Sequence, residues 1–149
     1  MSLITEDQVV LDLAAEDRHA ATRTLAETLQ KDGRVTDLDG FLADVRKREE
    51  QMPTGLPGGI GIPHARSAHI TEPSLVFGRA STGIDWGAED GPANLIFLIA
   101  APEGGGQEHL TILASLARRL MRAEFRQSLL DAPDAATVVD VVNREVINQ

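Results

Sequence analysis

The sequence of 149 residues contains no cysteine, which excludes disulfides, thiolate metal sites and cysteine nucleophiles. Basic residues are few as well, since 14 Lys and Arg stand against 23 Asp and Glu, a formal net charge of -9. Nucleic-acid binding requires clustered Lys and Arg that displace counterions from phosphates. We therefore expect no nucleic-acid partner.

Long apolar runs are also missing. The longest candidate, residues 94–101, has the length of a strand, whereas a bilayer-spanning helix needs about 18–20 apolar residues. The N-terminal sequence MSLITEDQVV lacks the basic region and apolar stretch of a signal peptide. We expect a cytoplasmic protein without direct membrane insertion. Because the length suits one domain and no linker or internal repeat is evident, we expect a single domain over residues 1–149.

The spacing of apolar residues predicts helices, then strands, then helices again. One helix follows a cap at Asp17 and ends at Gly33, and a second begins near Asp37. The predicted strands are residues 9–13, 60–62, 75–80 and 95–100, and the predicted loops are 52–59, 63–71, 85–92 and 102–106. Three helices, at 110–121, 123–130 and 135–146, close the chain. This order predicts an α/β sandwich, with a mixed β-sheet flanked by helices on both faces.

The segment GGIGIPHARS, residues 58–67, places His64 directly after a proline at the end of a short apolar strand. Pro63 fixes its own φ and restricts Ile62 to extended geometry, and glycines allow close backbone approach. A rigid backbone holds an imidazole in one orientation, as a functional site requires. The alternative is a packed histidine beside a strand end.

Two further residues are candidates for the same site. His109 lies where the glycine-rich segment GGGQEHL enters an amphipathic helix, and helix starts bind anions, phosphate above all. Arg48 closes the second helix and precedes the glycine-rich loop, where its guanidinium can bind an anion through bidentate hydrogen bonds. Charge alone does not choose Arg48 over Arg46, and a solvated arginine in a charged run remains the alternative.

Other readings of the histidines are weaker. His64, His69 and His109 offer a possible zinc site, but no H-E-x-x-H motif is present, and we expect no bound metal. A serine hydrolase lacks its G-x-S-x-G elbow. His19 and His69 are expected to be an ordinary helix residue and an ordinary loop residue.

The segments REEQMPTGLPGGIGIPHARS and LIFLIAAPEGGGQEHLTILASLARRL resemble the type-2 enzyme IIA domain, the fructose and mannitol class of the bacterial phosphoenolpyruvate-dependent sugar phosphotransferase system. The resemblance covers nearly the whole chain. It implies that His64 accepts a phosphoryl group from the phosphocarrier protein HPr and passes it to a IIB domain. It also implies that His109 and Arg48 stabilise the phosphoryl group, and that the fold is a mixed sheet between helices.

The glycine-rich loop looks closer to the fructose type than to the mannitol type, so we expect a role in fructose-type sugar uptake. IIB and IIC domains fused to the chain in a longer protein are a possibility that the resemblance leaves open. The alternative function is a regulatory module like the nitrogen-related IIA proteins, which binds partners according to its phosphorylation. Phosphoryl transfer through a histidine needs positioning and charge neutralisation, and we expect no cofactor.

Overall fold

The computed structural model describes residues 3–89, 91–104 and 108–147, and for Glu108 and His109 it describes the backbone alone. Within these residues the strands are β1 (Val9–Val10), β2 (Gly55–Leu56), β3 (Ile60–Gly61), β4 (His64–Ser67), β5 (Ser74–Ile84) and β6 (Ala93–Pro102). The helices are α1 (Arg18–Lys31), α2 (Leu38–Gln51), α3 (Glu108–Leu120), α4 (Ala123–Leu130) and α5 (Ala135–Val142). A 3₁₀ turn, Glu6–Gln8, precedes β1, and a π-helical turn, Asn143–Ile147, continues α5.

Strand β6 lies at the centre of a six-stranded mixed sheet. On one edge it pairs antiparallel with β5, which in turn pairs parallel with β1. Along its other edge β3 and β4 lie end to end, both parallel to β6, and β2 pairs antiparallel with β3. The segment that contains His64 therefore runs beside the central strand of the molecule.

Helices cover both faces of this sheet, as predicted. Alternate side chains of a strand point to opposite faces, so β6 supplies Leu95, Phe97 and Ile99 to one core and Ile96 and Leu98 to the other. The first core is closed by apolar residues of α3, α4 and α5, and the second by those of α1 and α2. The structure thus confirms the predicted α/β sandwich.

The helix starts follow the expected capping chemistry. Asp17 accepts a hydrogen bond from the backbone N–H of Ala20, at 2.8 Å, as the sequence predicts for α1. Asp134 caps α5 in the same way by accepting from Thr137, whose hydroxyl and backbone N–H hold the pKa of Asp134 below its ordinary value. No helix among the described residues is long and apolar enough to cross a bilayer.

The main departures from prediction lie between residues 52 and 84. The predicted loop at 63–71 is wrong for His64–Ser67, which forms β4 through its pairing with β6. The predicted loop at 52–59 contains the short strand Gly55–Leu56, and β5 continues past residue 80 to Ile84. Pairing partners rather than apolar spacing decide these strands.

Two smaller differences concern the ends of the chain. The strand predicted at 9–13 is only Val9–Val10. The last helix keeps α-helical geometry to Val142 and changes to π-helical geometry over Asn143–Ile147. Element ends depend on main-chain partners that local sequence does not reveal.

Candidate functional site

His64 opens β4 and is held by the backbone around it. Its Cα partner across the sheet is Ile99 of β6, whose N–H donates to the carbonyl of Pro63 at 3.0 Å. The ring Nδ1 of His64 lies 2.9 Å from the carbonyl oxygen of Ile62. Because a carbonyl oxygen only accepts, Nδ1 carries the proton in this bond. In the neutral ring the lone pair is therefore on Nε2.

The glycines before His64 serve two different structural purposes. Gly58 and Gly59 have φ values of 98° and 79°, which side chains rarely adopt, and they turn the chain between β2 and β3. Gly61 instead provides space, because a Cβ at this position would lie 2.6 Å from the indole ring of Trp86. The group that approaches Gly61 closely is therefore the Trp86 ring.

A cleft of about 430 Å³ opens beside His64. Helix α2 lines one wall, with residues at the i, i+3, i+4 and i+7 spacing that places them on one helix face. The other residues come from β4 and the start of α3. The full lining is Asp44, Lys47, Arg48, Gln51, His64, Ala65, Arg66 and Leu110.

The cleft is basic although the chain is acidic overall. Lys47, Arg48 and Arg66 contribute three positive charges, and Asp44 contributes one negative charge. The carboxylate of Asp44 accepts a hydrogen bond from the hydroxyl of Ser67, at 2.6 Å. Such a cleft attracts an anion to the neighbourhood of His64.

The structure distinguishes Arg48 from Arg46, which charge alone cannot do. Arg48 lines the cleft with His64, half-buried, and its Nη1 donates to the carbonyl of Met52 at 3.2 Å. Arg46 is exposed on another face of α2, where it lines a crevice between α1 and α2 together with Arg18. Arg48 is thus brought to His64 and Arg46 is not.

The first turn of α3 also borders the cleft, because Leu110 is one of its lining residues. The unpaired N–H groups of a helix start carry a partial positive charge. His109 belongs to this turn by its backbone, but its side chain lies outside the described residues. Its predicted contact with a phosphoryl group stays a prediction.

The remaining histidines lie elsewhere. His69 packs against the start of α2, where a Cβ on Gly40 would lie 2.5 Å from its Nε2. His19 is the second residue of α1, half-exposed, and lines the crevice between α1 and α2. Neither residue lines the cleft of His64. Within residues 3–89, 91–104 and 108–147, no group of three or more His, Asp or Glu could hold a metal ion.

Comparison with known proteins decides the family. A family model described as "Phosphoenolpyruvate-dependent sugar phosphotransferase system, EIIA 2" matches residues 2–145. The chain belongs to this EIIA family. Members are phosphotransferase components, and the chemistry of the chain is phosphoryl transfer.

Two curated relatives match nearly the whole chain. The chain is 38% identical over 144 residues to the "PTS system fructose-specific EIIA component" of Haloferax volcanii, which covers 95% of this chain and 94% of the relative. It is 35% identical over 143 residues to the "PTS system fructose-specific EIIABC component" of Bacillus subtilis. That match covers 95% of this chain but only 22% of the longer relative.

Solved structures of EIIA proteins share the fold. The nitrogen regulatory protein IIA-Ntr of Neisseria meningitidis matches with a TM-score of 0.86 and 26% identity, over 94% of this chain and 96% of its own. Enzyme IIA in the complex of enzyme IIA mannitol with phosphorylated enzyme IIB mannitol from Escherichia coli matches with a TM-score of 0.80 and 23% identity, over 95% and 97%. In that complex the Escherichia coli enzyme IIA is bound to phosphorylated enzyme IIB.

Sequence reasoning missed three charged residues of the EIIA cleft, Asp44, Lys47 and Arg66. It also missed Ser67, which lies outside the lining and donates to Asp44. The helical spacing of Asp44, Lys47 and Arg48 is visible in the sequence, and it was a usable signal. Arg66 and Ser67 belong to a strand that was predicted as loop. Their proximity to α2 depends on the register of β4 against β6, which sequence spacing does not reveal.

Proposed function

We propose that His64 is the phosphoryl acceptor, that it takes the group from phospho-HPr, and that it passes it to a IIB domain of a fructose-type sugar transporter. The names of the two relatives, which are 35% and 38% identical, support fructose as the sugar. The Bacillus subtilis relative joins the A, B and C components in one name, which supports a IIB partner, free or fused. Exchange with HPr would take place in the cytoplasm.

The transfer step uses Nε2 of His64. In the tautomer that the Ile62 carbonyl favours, the Nε2 lone pair attacks phosphorus. The Nε2–P bond forms as the bond between phosphorus and the donor breaks, and the departing donor keeps that electron pair. Nδ1 keeps its proton and its bond to Ile62 throughout. The reverse sequence of events delivers the group to the IIB domain.

The charge of the transferred group is balanced by the cleft. A phosphorylated side chain carries a charge of about -1.5 to -2 near neutral pH. Arg48 can bind two of its oxygens at once, and Lys47 and Arg66 add two further positive charges nearby. The start of α3 contributes its partial charge, and we expect His109 to donate a hydrogen bond from that turn.

The observation that carries this proposal is the bond between Nδ1 of His64 and the Ile62 carbonyl beside a cleft with three positive charges. The test is incubation with phosphoenolpyruvate, enzyme I and HPr, followed by intact-mass measurement and addition of a fructose IIB domain. We expect one added phosphoryl group that IIB removes. A protein that gains no phosphoryl group under conditions that phosphorylate HPr would refute the proposal.

The second candidate is a regulatory role, and the observation in its favour is the match to the nitrogen regulatory protein of Neisseria meningitidis. Such a module would accept a phosphoryl group but would bind partners instead of feeding a transporter. Rapid loss of the group to a fructose IIB domain favours transport. A phosphorylated chain that is stable in the presence of several IIB domains would favour regulation.

A further inference from the structure

A chain of hydrogen bonds links a buried carboxylate on α2 to the ring of His64. Glu49 accepts from the backbone N–H of Thr54 at 2.7 Å and from its hydroxyl at 2.6 Å. The carbonyl of Thr54 accepts from the N–H of Ile62 at 3.1 Å. The carbonyl of Ile62 then accepts from Nδ1 of His64 at 2.9 Å. Two residues, Thr54 and Ile62, therefore lie between Glu49 and His64 along this path.

Glu49 is held firmly at the start of this path. Its side chain is 5% exposed, and Oε2 lies 3.5 Å from Nη1 of Arg18, which supplies a counter-charge. The Thr54 hydroxyl that donates to Glu49 also accepts from the indole N–H of Trp86, at 3.1 Å. Only a carboxylate accepts from both Thr54 donors at once, since an amide would turn an NH₂ group towards one of them.

The path continues through a backbone with little freedom. Ile62 precedes proline, which restricts it to extended geometry, and its side chain is 3% exposed. Its N–H is held by Thr54 on one side, and the next carbonyl, that of Pro63, is held by Ile99 of β6 on the other. The direction of the Ile62 carbonyl is set between these two anchors.

Glu49 acts at a distance from the phosphoryl group. It faces the crevice between α1 and α2 and is absent from the lining of the cleft that holds His64 and Arg48. The hydrogen bonds through Thr54 and Ile62 connect Glu49 to His64 without a direct contact. Neighbouring Glu50 is exposed and provides a control with the same charge.

We propose that Glu49 is a positioning residue that, through Thr54, orients the Ile62 carbonyl and so keeps His64 as the Nδ1–H tautomer with its lone pair on Nε2. This inference rests on the proposed role of His64. It adds Glu49, a buried residue that does not contact the phosphoryl group, to the residues on which transfer depends. It also gives a function to Thr54, which donates to the carboxylate, and to Trp86, which donates to the Thr54 hydroxyl.

The experiment compares Glu49→Gln with Glu50→Gln. Two-bond ¹⁵N–¹H NMR on the unphosphorylated protein, above the pH range in which imidazole titrates, measures the tautomer of His64. Transfer from phospho-HPr is measured at saturating and at limiting HPr. We expect Glu49→Gln to lower the Nδ1–H population and to reduce the saturated rate about tenfold, as for one lost hydrogen bond to a charged group. The HPr concentration that gives half the maximal rate stays unchanged, because Glu49 is buried.

A second pair of variants guards against simple loss of folding. Thr54→Val keeps the shape of the side chain but removes the hydroxyl, whereas Thr54→Ser keeps the hydroxyl. We expect the valine variant to resemble Glu49→Gln and the serine variant to retain most of the rate. Since Trp86 is the only tryptophan of the chain, its fluorescence reports directly on the same cluster. The emission spectrum changes in Glu49→Gln and in Thr54→Val but not in Glu50→Gln.

The outcomes separate this inference from the proposed function. If wild-type protein is phosphorylated and Glu49→Gln has the tautomer and rate of Glu50→Gln, the inference is wrong and the proposed function stands. If wild-type protein accepts no phosphoryl group, the proposed function is wrong, and the tautomer measurement still tests the link to His64. A thermal melt of each variant identifies any unfolded protein, and the NMR measurement reports on the folded fraction alone.

Discussion

Replacing Arg48 by alanine removes from the cleft a guanidinium that can bind two phosphoryl oxygens at once. The side chain is half-buried at the end of α2, and its Nη1 is held by the carbonyl of Met52. Its remaining N–H groups are available to an anion in the cleft beside His64. We therefore expect Arg48→Ala to slow transfer both to and from His64.

The magnitude follows from the position of Arg48 at an open cleft. Opposite unit charges about 4 Å apart interact by about 4 kcal/mol at an effective dielectric constant near 20. Solvent enters this cleft, and Lys47 and Arg66 remain there to replace part of the lost charge. We expect about 2–3 kcal/mol of this interaction to be lost, which slows transfer about 30- to 150-fold.

The assay follows phosphoryl transfer from phospho-HPr by quenched time points and intact mass. Arg46→Ala is the matched control, because Arg46 lies on the same helix but lines the crevice between α1 and α2. We expect this control to transfer at nearly the wild-type rate. Arg48→Lys keeps the charge without the planar fork and should fall between the two.

Equal and small effects of Arg48→Ala and Arg46→Ala would contradict a specific role for Arg48. They would mean that the general positive field, rather than a specific guanidinium, neutralises the phosphoryl group. A large effect of Arg46→Ala alone would place the site in the other crevice. Either result would remove Arg48 from the set of transfer residues.

Two further predictions concern the flanks of His64. His109→Ala should still be phosphorylated by phospho-HPr but should pass the group to IIB poorly, because a lost hydrogen bond to an anion costs about 1.5–3 kcal/mol. Phosphate that accumulates on His109 in a His64→Ala variant would reverse the two roles. Gly61→Ala should lower the free energy of unfolding by about 1–3 kcal/mol, because its Cβ would overlap the Trp86 ring, 2.6 Å away. Denaturant unfolding measures this loss, and an unchanged midpoint would show that the ring moves aside at no cost.

The spacing of apolar residues predicts the layers of the fold, because the apolar face of each helix or strand is visible in its own sequence. The continuous apolar run at 95–100 forms the centre of β6, and the helices on both faces follow from their stripes. Strand β4 has the polar sequence HARS and carries no such pattern. It becomes a strand because parallel pairing with β6 satisfies its backbone, and this long-range partner is invisible in the local sequence.

The site was predictable only in part, for a similar reason. Pro63 and the glycines single out His64, and a family resemblance selects Arg48 where charge alone does not. Lys47 and Arg66 join them only when α2 is set against β4 in its actual register. Glu49 looks like one more charge in the run at 46–50, and its burial against Thr54 becomes visible only in three dimensions.

The most direct test of His64 as the phosphoryl carrier is nitrogen-resolved NMR on protein phosphorylated through HPr, with intact mass on a His64→Ala variant. The bond between Nδ1 and the Ile62 carbonyl predicts an acid-labile phosphoryl group on Nε2 of His64. It also predicts no phosphorylation of His64→Ala. A signal from phosphorylated Nδ1 would contradict the orientation of the ring and leave the acceptor in place. An acid-stable phosphate, or a His64→Ala variant that is still phosphorylated, would show that His64 does not carry the phosphoryl group.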